Sequence, residues 1–334
     1  MKVAVNGFGR IGRDVVRQLF ERNEDNLELV AINFSSDIHT MAHLFKYDSL
    51  YGKFDGTIEV KDDSFVINDK VVKIVNDRDP ANLPWKELGV ELVIDSTGAF
   101  KDAESLGKHI EAGAKKVILT APGKGIKTIV MGVNCDTYNP EEDNIISNAS
   151  CTTNCLAPVT KVIDETFGIK RGLMTTIHAY TGDQNIHDNK HKDLRRARAA
   201  ALSIVPTTTG AAKAVALVLP HLEGKLSGYA VRVPVPTVSL VDVTFELEKN
   251  VTKEEVNEAL KKASEGELKG ILGYSDEPLV SIDYQKDPRA SIFDSELTTI
   301  IDDNFVKVVS WYDNEWGYSQ RVIDLAVLVA DKYK

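Results

Sequence analysis

The fold of the N-terminal part of the chain can be predicted from residues 2–12, Lys2-Val3-Ala4-Val5-Asn6-Gly7-Phe8-Gly9-Arg10-Ile11-Gly12. It begins with an apolar run that contains β-branched side chains, which predicts a strand. A Gly-x-Gly-x-x-Gly turn made by Gly7, Gly9 and Gly12 follows, and apolar residues then recur with helical spacing. This order is typical of a dinucleotide-binding unit, in which the glycines let the backbone approach a pyrophosphate at the helix N-terminus. The alternative is an ordinary strand-to-helix turn that happens to be rich in glycine.

The second predicted strand, Glu28–Asn33, ends without the acidic residue that usually binds the ribose 2′-hydroxyl of a dinucleotide. The chain continues with Phe34 and Ser35, and its next carboxylate is Asp37. Because a carboxylate would repel a 2′-phosphate, whereas the serine hydroxyls and Asn33 could bind one, this end predicts that NADP is accepted. The alternative is that Asp37 or a backbone group binds an ordinary ribose.

Further strands alternate with helices up to residue 150. Apolar runs predict strands over 71–75, 90–95, 116–119, 129–131 and 144–147, and the spacing over 101–112 predicts a helix. We therefore expect an α/β domain over residues 1–150, with a Rossmann-type, doubly wound, mostly parallel sheet.

The pattern changes beyond residue 168. Strands are predicted over 172–180, 226–233, 237–247 and 305–312, and helices over 210–219 and 253–265. Runs of strands with few helices indicate an α+β domain with a mostly antiparallel sheet, which we place at residues 151–314 as the catalytic domain. The amphipathic helix at the end, within 315–334, is expected to pack back on the first domain. The long polar segment 181–209 is typical of a functional loop or of one buried in a partner.

Composition limits the function classes. A chain of 334 residues exceeds one comfortable core, so two domains are expected. The net charge of −10 argues against general nucleic-acid or anionic-membrane binding, and no apolar run is long enough to span a membrane. The strand at the N-terminus leaves no room for a signal peptide, and the 3 cysteines do not make a disulfide framework. A cytoplasmic protein is predicted.

Cys151 lies where a predicted strand ends and a helix begins. The backbone N–H groups and the dipole at a helix N-terminus favour an anion, which for a cysteine is its reactive thiolate. Ser150 and Thr152 add hydroxyls that could line an anion pocket. The alternative is a small buried cysteine next to a hydroxyl-rich helix cap.

His178 stands at the end of another predicted strand. A histidine within reach of a cysteine can form an ion pair, lower the thiol pKa to about 3.5–7.5 and act as a general acid or base. The sequence alone does not place His178 beside Cys151, and a structural histidine is the alternative. The other histidines have no metal-ligand spacing, so no metal site is predicted.

Several basic residues follow in the polar segment and beyond it, including Arg195, Arg196, Arg198 and Arg232. Guanidinium groups bind phosphate through charge-assisted hydrogen bonds, so an acidic chain with this cluster is predicted to bind small phosphorylated ligands. A solvated charge run or salt bridges between subunits are the alternatives.

The stretch from Ala149 to Pro158, Ala-Ser-Cys-Thr-Thr-Asn-Cys-Leu-Ala-Pro, resembles the active-site signature of the phosphorylating glyceraldehyde-3-phosphate dehydrogenase family. Segments 6–13, 43–49, 209–213 and 311–315 extend the resemblance over essentially the whole chain. The resemblance implies that Cys151 is the nucleophile and His178 its base, whereas Cys155 is not implied to react.

The same resemblance implies roles for the binding residues. Thr181 and Arg232 would hold the C3 phosphate of the substrate. The attacking inorganic phosphate would be held by hydroxyl, backbone and guanidinium groups, namely Ser150, Thr152, Thr209, Gly210 and either Arg196 or Arg198. Asn314 would orient the nicotinamide amide, and further cofactor contacts would come from Arg10, Ile11, Arg78 and Thr120. The family is usually homotetrameric, with segment 181–209 at a subunit interface.

The implied reaction converts glyceraldehyde 3-phosphate, inorganic phosphate and NAD(P) to 1,3-bisphosphoglycerate through a Cys151 thioester, reversibly, in glycolysis or gluconeogenesis. Asn33-Phe34 stands where NAD-specific members have Asn-Asp, and Asn189-Lys190 stands where they have Leu-Pro. Loss of a carboxylate and gain of a lysine predict that NADP is used at least as well as NAD. Other functions to be weighed are an erythrose-4-phosphate dehydrogenase and a non-catalytic dinucleotide-binding or surface-interaction protein.

Overall fold

The computed structural model describes residues 1–333, which divide into two compact units. The first unit contains Met1–Ile129, Asp136–Ala149 and the chain from Ser319 onward. The second contains Val130–Cys135 and Ser150–Tyr318. The division between Ala149 and Ser150 stands next to the boundary expected after residue 150, whereas Val130–Cys135 was expected in the first domain.

The first unit is built on a nine-stranded sheet with the order β10-β11-β9-β8-β1-β2-β7-β6-β5. Strands β3 and β4 form a separate ribbon. The strands are β1 (Lys2–Asn6), β2 (Glu28–Asn33), β3 (Tyr47–Asp48), β4 (Gly52–Lys53), β5 (Ile58–Lys61), β6 (Ser64–Ile67), β7 (Lys70–Val75), β8 (Leu92–Asp95), β9 (Lys116–Leu119), β10 (Lys127–Thr128) and β11 (Ile145–Ser147). The helices are α1 (Arg10–Arg22), α2 (Ile38–Lys46), α3 (Trp85–Leu88) and α4 (Ala103–Glu111).

This sheet confirms the predicted Rossmann-type fold. Neighbours from β10 to β7 pair in parallel, and only β7-β6-β5 at one end is antiparallel. The strand order reverses at β1, which pairs with β2 on one side and β8 on the other, and ligands bind beyond the strand C-termini at such a point.

The strand predicted over 129–131 is wrong. The nearest strand is β10, and Val130 instead begins a turn, since its carbonyl accepts hydrogen bonds from the N–H groups of Val133 (3.0 Å) and Asn134 (3.2 Å). Gly132 has φ +78°, a conformation that glycine adopts readily. Ile129 and Val130 are buried where the turn begins, and periodicity does not distinguish such a run from a short buried strand.

The second unit is built on a seven-stranded sheet with the order β13-β14-β12-β15-β18-β17-β16. Its strands are β12 (Ile169–Ala179), β13 (Val205–Thr207), β14 (Leu226–Val233), β15 (Ser239–Leu247), β16 (Leu272–Ser275), β17 (Ser291–Ile301) and β18 (Phe305–Tyr312). The helices are α5 (Cys151–Phe167), α6 (Ala211–Val218) and α7 (Lys253–Glu265). The pairs β12-β14 and β16-β17 are parallel and the others are antiparallel, as predicted. Helix α5 packs on β15, β17 and β18.

The last helix, α8 (Trp316–Lys332), begins in the second unit and continues into the first from Ser319. Its apolar side chains Val322, Leu325 and Val329 are buried, and Asp324 accepts a hydrogen bond from Arg22 at the end of α1 (2.6 Å). Within residues 1–333, no helix has the length and apolar character needed to cross a membrane.

Candidate active site

The glycine turn after β1 forms a close-fitting cradle. Gly7 has φ +96°, and a Cβ at this position would lie 2.8 Å from the backbone nitrogen of Thr97. A Cβ at Gly12 would lie 2.1 Å from the carbonyl oxygen of Gly7. A Cβ at Gly9, by contrast, would have no described atom within 4 Å. Gly7 and Gly12 are therefore required by packing, while the backbone at Gly9 and the start of α1 remain open to a pyrophosphate.

A cavity of about 530 Å³ lies next to the glycine turn in the first unit. Of the predicted cofactor residues, those that line it are Gly7, Gly9, Asn33, Phe34, Ser35 and Arg78. The cavity is also lined by Arg13, Ser36, Met41 and Thr97, of which Arg13 and Met41 were not predicted to meet the cofactor. The cradle and the cavity fit a nicotinamide dinucleotide, whose pyrophosphate would lie over Gly9.

Asn33 holds a neighbouring loop in place. Its side-chain nitrogen donates to the side-chain oxygen of Asn6 (2.7 Å) and to the carbonyl of Asp77 (2.8 Å). Its side-chain oxygen accepts from the N–H of Asp77 (3.1 Å). The expectation that this amide is available to bind a phosphate is therefore corrected, because its groups are engaged within the protein. Asn33 fixes the loop that carries Arg78 into the cavity.

The carboxylate of Asp37 is also engaged. It caps α2 by accepting hydrogen bonds from the backbone N–H (2.7 Å) and the hydroxyl (2.8 Å) of Thr40. The ring of Phe34 stacks on those of Phe8 and Phe65, with centroids 5.5 and 5.9 Å away. The exposed side chains of Ser35, Ser36 and Arg78 line this part of the cavity and are donors for a ribose or a 2′-phosphate. The carboxylate of Asp77 also lines the cavity and accepts a hydrogen bond from the N–H of Asp79 (2.8 Å).

Four predicted cofactor residues of the first unit do not line this cavity, namely Arg10, Ile11, Gly12 and Thr120. The guanidinium of Arg10 pairs with Asp48, and Thr120 follows β9 with its N–H on the carbonyl of Asp95 (2.9 Å). Asn189 and Lys190 belong to the second unit, where both are exposed.

Cys151 is the first residue of α5, as the sequence predicts, and Ser150 is the helix cap. The hydroxyl of Ser150 accepts from the N–H of Thr153 (3.1 Å). The sulfur of Cys151 lies 3.4 Å from Nε2 of His178 at the end of β12. The structure therefore brings together the two residues that sequence alone could not place side by side.

Burial favours the uncharged forms of this pair. Removal from water raises the pKa of the Cys151 thiol, against the opposing effects of the positive charge of Arg232 and hydrogen bonds from Thr152. Burial, and then repulsion by Arg232, lower the pKa of His178 to about 3. The predicted ion pair with a lowered thiol pKa is thus corrected for the resting site, because a low dielectric disfavours both charges. Both shifts favour a neutral His178 beside a protonated Cys151 thiol in the free site.

We expect iodoacetamide to alkylate Cys151 with a rate constant that increases from about pH 6 to pH 9, because a raised thiol pKa keeps the thiolate fraction small until the pH rises. Cys155 is the internal control, since it is fully buried and burial raises its pKa to about 12. Peptide mapping of the alkylated protein measures both sites. A rate independent of pH, or faster labelling of Cys155, would contradict this assignment.

Arg232 on β14 lies against the other side of His178. Its Nη1 is 2.8 Å from Nδ1 of His178 and donates to the carbonyl of Ala179 (2.9 Å). Its buried Nε has no hydrogen-bond partner among residues 1–333. A guanidinium with an unused donor beside Cys151 is suited to bind an anionic ligand.

The two arginines left open by the sequence differ in position. Arg196 donates to Asp183 (2.6 Å) and to Thr207 (2.8 Å), which lies on β13 beside the strand that carries Arg232. Burial lowers the pKa values of His178 and Arg232, and the positive charge of Arg196 adds to this effect. Arg198 is exposed and pairs with Asp188 (2.9 Å). Of the two, the structure places Arg196 in the cluster.

Thr152 is held by a buried hydroxyl chain. Its hydroxyl lies 2.9 Å from that of Tyr312, which lies 2.9 Å from the hydroxyl of Thr176. The side chain of Thr152 is buried, and its hydrogen bond to Cys151 favours the thiolate, so that this predicted phosphate residue lies directly beside the nucleophile. The prediction missed the part of Tyr312, although this residue stands in the quoted segment 311–315.

The remaining predicted residues of the second unit lie next to the ends of its helices and strands. Thr209 and Gly210 precede α6, where the space around Gly210 is open to 4 Å among the described atoms. The half-buried Thr181 follows β12. The side-chain oxygen of Asn314 accepts from Ser239 (2.9 Å), whose hydroxyl also accepts from the N–H of Ala179 (3.0 Å).

Comparisons with known proteins agree with this geometry. A family model described as glyceraldehyde 3-phosphate dehydrogenase, NAD binding domain, matches residues 1–103, and one described as the C-terminal domain matches 150–314. The glyceraldehyde-3-phosphate dehydrogenase of Geobacillus stearothermophilus is 60% identical over 333 residues, covering 99% of both chains. Glyceraldehyde-3-phosphate dehydrogenase 2 of Bacillus subtilis is 57% identical over 335 residues, covering 100% of this chain and 98% of the relative. The chloroplastic glyceraldehyde-3-phosphate dehydrogenase A of Zea mays is 57% identical over 337 residues, covering 100% of this chain and 83% of the relative. The chain belongs to the glyceraldehyde-3-phosphate dehydrogenase family.

Proposed function

We propose that this chain catalyses the reversible phosphorylating oxidation of glyceraldehyde 3-phosphate to 1,3-bisphosphoglycerate, with NADP accepted at least as well as NAD. The observation that carries the proposal is the distance of 3.4 Å between Cys151 Sγ and His178 Nε2, with Arg232 and Arg196 beside them. A nucleophile, a base and two guanidinium groups are what an aldehyde, its phosphate and an attacking phosphate require.

The residues act in sequence on one carbon. Cys151 transfers its proton to Nε2 of His178, and the thiolate adds to the aldehyde carbon, forming a C–S bond and an oxyanion. The imidazolium returns the proton to that oxygen, which gives a neutral hemithioacetal and a neutral His178. The bound nicotinamide supplies the acceptor for a hydride from the same carbon.

His178 accepts the hydroxyl proton as the carbonyl reforms, which leaves a thioester on Cys151. A phosphate oxygen then attacks the thioester carbon, the C–S bond breaks, and the Cys151 thiolate departs. A sulfur suits both steps, since it is a good nucleophile and a good leaving group. The proton held by His178 then returns the thiolate to the resting thiol.

We assign the phosphate groups by charge. Arg232 and Thr181 hold the C3 phosphate, because the unused Nε of Arg232 lies in the buried cluster next to His178. The attacking phosphate is held by Ser150, Thr152, Thr209, Gly210 and Arg196. Asn314 orients the nicotinamide amide.

The proposed use of NADP is supported by the residues that follow β2. Phe34 stands where a carboxylate would repel a 2′-phosphate, the carboxylate of Asp37 caps α2, and Ser35 and Arg78 remain as hydroxyl and guanidinium donors. Lys190 adds a positive charge, which we propose contacts the 2′-phosphate.

The proposal is tested by measuring kcat/KM for NAD and NADP with glyceraldehyde 3-phosphate and phosphate, and then with erythrose 4-phosphate. We expect kcat/KM for NADP to equal or exceed kcat/KM for NAD, and a hundredfold preference for NAD would contradict the cofactor proposal.

Lys190→Ala is expected to lower kcat/KM for NADP by about tenfold and to leave kcat/KM for NAD unchanged, because one charge-assisted bond is lost. Lys192→Ala, at an exposed lysine of the same segment, is the matched control.

We also propose a homotetramer in a reducing compartment. Large apolar side chains are exposed on the second unit, among them Leu173 (71% exposed), Ile204 (69%) and Tyr229 (51%), and such patches are typical of subunit interfaces. The chain's cysteines, Cys135, Cys151 and Cys155, are all free, in accord with the cytoplasm.

Leu173→Asp is expected to dissociate this tetramer at micromolar concentration, because a buried unpaired carboxylate in an interface costs several kcal/mol or about a thousandfold in affinity. Size-exclusion chromatography with light scattering measures the mass. Val71→Asp, at an exposed apolar residue of the first unit, is the control and should leave the mass unchanged. A tetrameric Leu173→Asp protein would rule out an interface at this residue.

A further inference from the structure

A row of polar side chains lies across the ends of three neighbouring strands of the first sheet. Strands β8, β1 and β2 end at Asp95, Asn6 and Asn33, which are paired with one another in register. The three residues are buried, with exposed fractions of 0%, 1% and 6%. Nδ2 of Asn6 donates to Oδ2 of Asp95 (2.7 Å), and Oδ1 of Asn6 accepts from Nδ2 of Asn33 (2.7 Å). These side chains form one hydrogen-bonded polar row at the carboxyl edge of the sheet, where dinucleotides bind in such folds.

The orientation of each amide in the polar row is determined by its neighbours. A carboxylate only accepts, so Asn6 must present its N–H groups to Asp95 and its oxygen to Asn33. The amide of Asn33 is fixed independently by the backbone of Asp77, with its nitrogen on the carbonyl (2.8 Å) and its oxygen on the N–H (3.1 Å). The orientations set at the two ends agree where Asn6 meets Asn33, so the row has a single arrangement.

The polar row is anchored by two residues outside the cavity, His109 and Trp85. Nε1 of the Trp85 indole lies 2.9 Å from Nδ1 of His109. Because an indole N–H only donates, Nδ1 is the acceptor and the proton of the neutral imidazole is on Nε2. Nε2 lies 3.2 Å from Oδ2 of Asp95 and donates to it. Both anchoring residues are fully buried, and neither lines the cavity.

Asp95 connects this anchor to the cavity wall. Its Oδ1 accepts from the N–H (3.1 Å) and the hydroxyl (2.8 Å) of Thr97, while Asn6 and His109 share its Oδ2. Thr97 and Asn6 line the cavity, and the row continues to the loop that carries Arg78. Since a buried carboxylate that loses a donor is costly, Asp95 must move if the contact with His109 is removed, and the cavity wall moves with it.

We propose that His109 and Asp95 are positioning residues that set the affinity of the chain for its dinucleotide without touching it. His109 holds Asp95, and Asp95 holds Thr97 and Asn6 in the positions that fit the cofactor. The cavity is thereby formed before the cofactor binds, so fewer side chains must be ordered on binding. This inference deepens the proposed function, since it takes the cavity to be the dinucleotide site.

The test compares two substitutions of His109 that differ in their hydrogen-bonding groups. Leucine and glutamine both lack the ring, so each loses the edge contact with Phe100, whose ring centroid is 6.5 Å away. Only glutamine offers a donor for Asp95 and an acceptor for Trp85. We expect His109→Leu to raise the Kd values for NAD and NADP by about tenfold, and His109→Gln to stay within about threefold of the wild type.

Isothermal titration calorimetry without aldehyde or phosphate measures these Kd values. An unchanged Kd in His109→Leu, or an equal rise in the two variants, would overturn the proposal. The kcat of His109→Leu at saturating dinucleotide should stay within about threefold of the wild type, because the proposed catalytic residues lie in the second unit. A lower kcat with an unchanged KM for the dinucleotide would also overturn it.

Leu106→Ala is the matched control for a loss of stability. Leu106 is fully buried on α4, one turn before His109, and packs in the same core as Trp85. We expect this variant to lower Tm and to leave the Kd values unchanged, since it removes apolar contacts but no member of the polar row. A rise in Kd equal to that of His109→Leu would mean that affinity follows stability and not the row.

Asp95→Asn repeats the test at the centre of the polar row. The amide keeps the shape of the carboxylate, but in either orientation its N–H groups face other N–H donors, those of Asn6 and His109 or that of Thr97. We expect the Kd values for both dinucleotides to rise by at least about tenfold. Unchanged binding would overturn the proposal, whether or not His109→Leu folds.

The two proposals fail separately, because the Kd values do not depend on the reaction. If the wild-type enzyme does not oxidise glyceraldehyde 3-phosphate in the presence of phosphate, the proposed function is wrong. If it does, but His109→Leu and Asp95→Asn bind the dinucleotides as the wild type does, only the role of the polar row is wrong.

Discussion

Replacing Cys151 with serine is expected to lower kcat for glyceraldehyde 3-phosphate by at least about 10⁴-fold, because the covalent intermediate can no longer form as a thioester. A serine hydroxyl in this buried site, with a neutral histidine beside it, is a much weaker nucleophile than a thiol. The dissociation constants for NAD and NADP should not change, since the cavity beyond β1, β2 and β8 contains no part of α5. Steady-state kinetics and fluorescence titration of each dinucleotide measure the two effects.

Cys155→Ser is the matched control for this variant. Cys155 lies one helical turn farther along α5, fully buried, with its sulfur 3.5 Å from the hydroxyl of Ser291. We expect this variant to keep kcat within about threefold of the wild type, with an effect on stability only, since the residue packs in the core. Full dehydrogenase activity in the Cys151→Ser protein would revive the non-catalytic dinucleotide-binding alternative.

Replacing His178 with asparagine is expected to lower kcat by about 10²- to 10⁴-fold, the usual contribution of a general base. The amide approximates the size of the ring but cannot accept and return a proton. His221→Asn, at an exposed histidine paired with Asp164, is the control and should keep the wild-type rate. A fall of less than threefold in the His178→Asn protein would mean that another group is the base.

The pH profile provides a second readout of His178. Burial lowers its pKa to about 3, so the imidazole of the free enzyme stays neutral as the pH rises above that value. We therefore expect the kcat/KM profile of the wild type, which reports the free enzyme, to show no inflection near the ordinary histidine pKa of about 6.5. The rate should instead rise with pH toward the raised pKa of the Cys151 thiol. An acid limb centred near the ordinary histidine value would contradict this assignment.

The surroundings of Cys151 have opposing effects on the pKa of its thiol. Hydrogen bonds from Thr152, the start of α5 and the charge of Arg232 favour a thiolate, while burial opposes it. Because these effects oppose one another, a change in the position of Arg232 or His178 has a large influence on the fraction of Cys151 that is ionised. The hydroxyl chain from Thr176 through Tyr312 to Thr152 keeps one donor aimed at the sulfur.

Much of the fold was predictable because its signals are local. Each of these signals spans only a short run of consecutive residues. Examples are the glycine turn, the apolar runs of β1, β2, β9, β14 and β18, and the helical spacing of α7. The failures also have local causes. The run at 129–131 is a buried turn that has the composition of a strand. Strand β13 is only Val205–Thr207, carries a proline, and lies in a segment predicted as a loop.

Motifs that are contiguous in the chain were enough to predict the Rossmann-type first domain, the position of Cys151 at a helix start, and the family. Contacts between distant residues are visible only in the folded chain: His178 is 27 residues from Cys151 in sequence, and Tyr312 is 160 residues from Thr152. The folded chain also shows that Asn33 and Asp37 are engaged within the protein, and that Arg196 rather than Arg198 joins the cluster. The physical reason is that hydrogen-bond partners and pKa values depend on burial and on neighbours contributed by distant strands, and neither is encoded in local spacing.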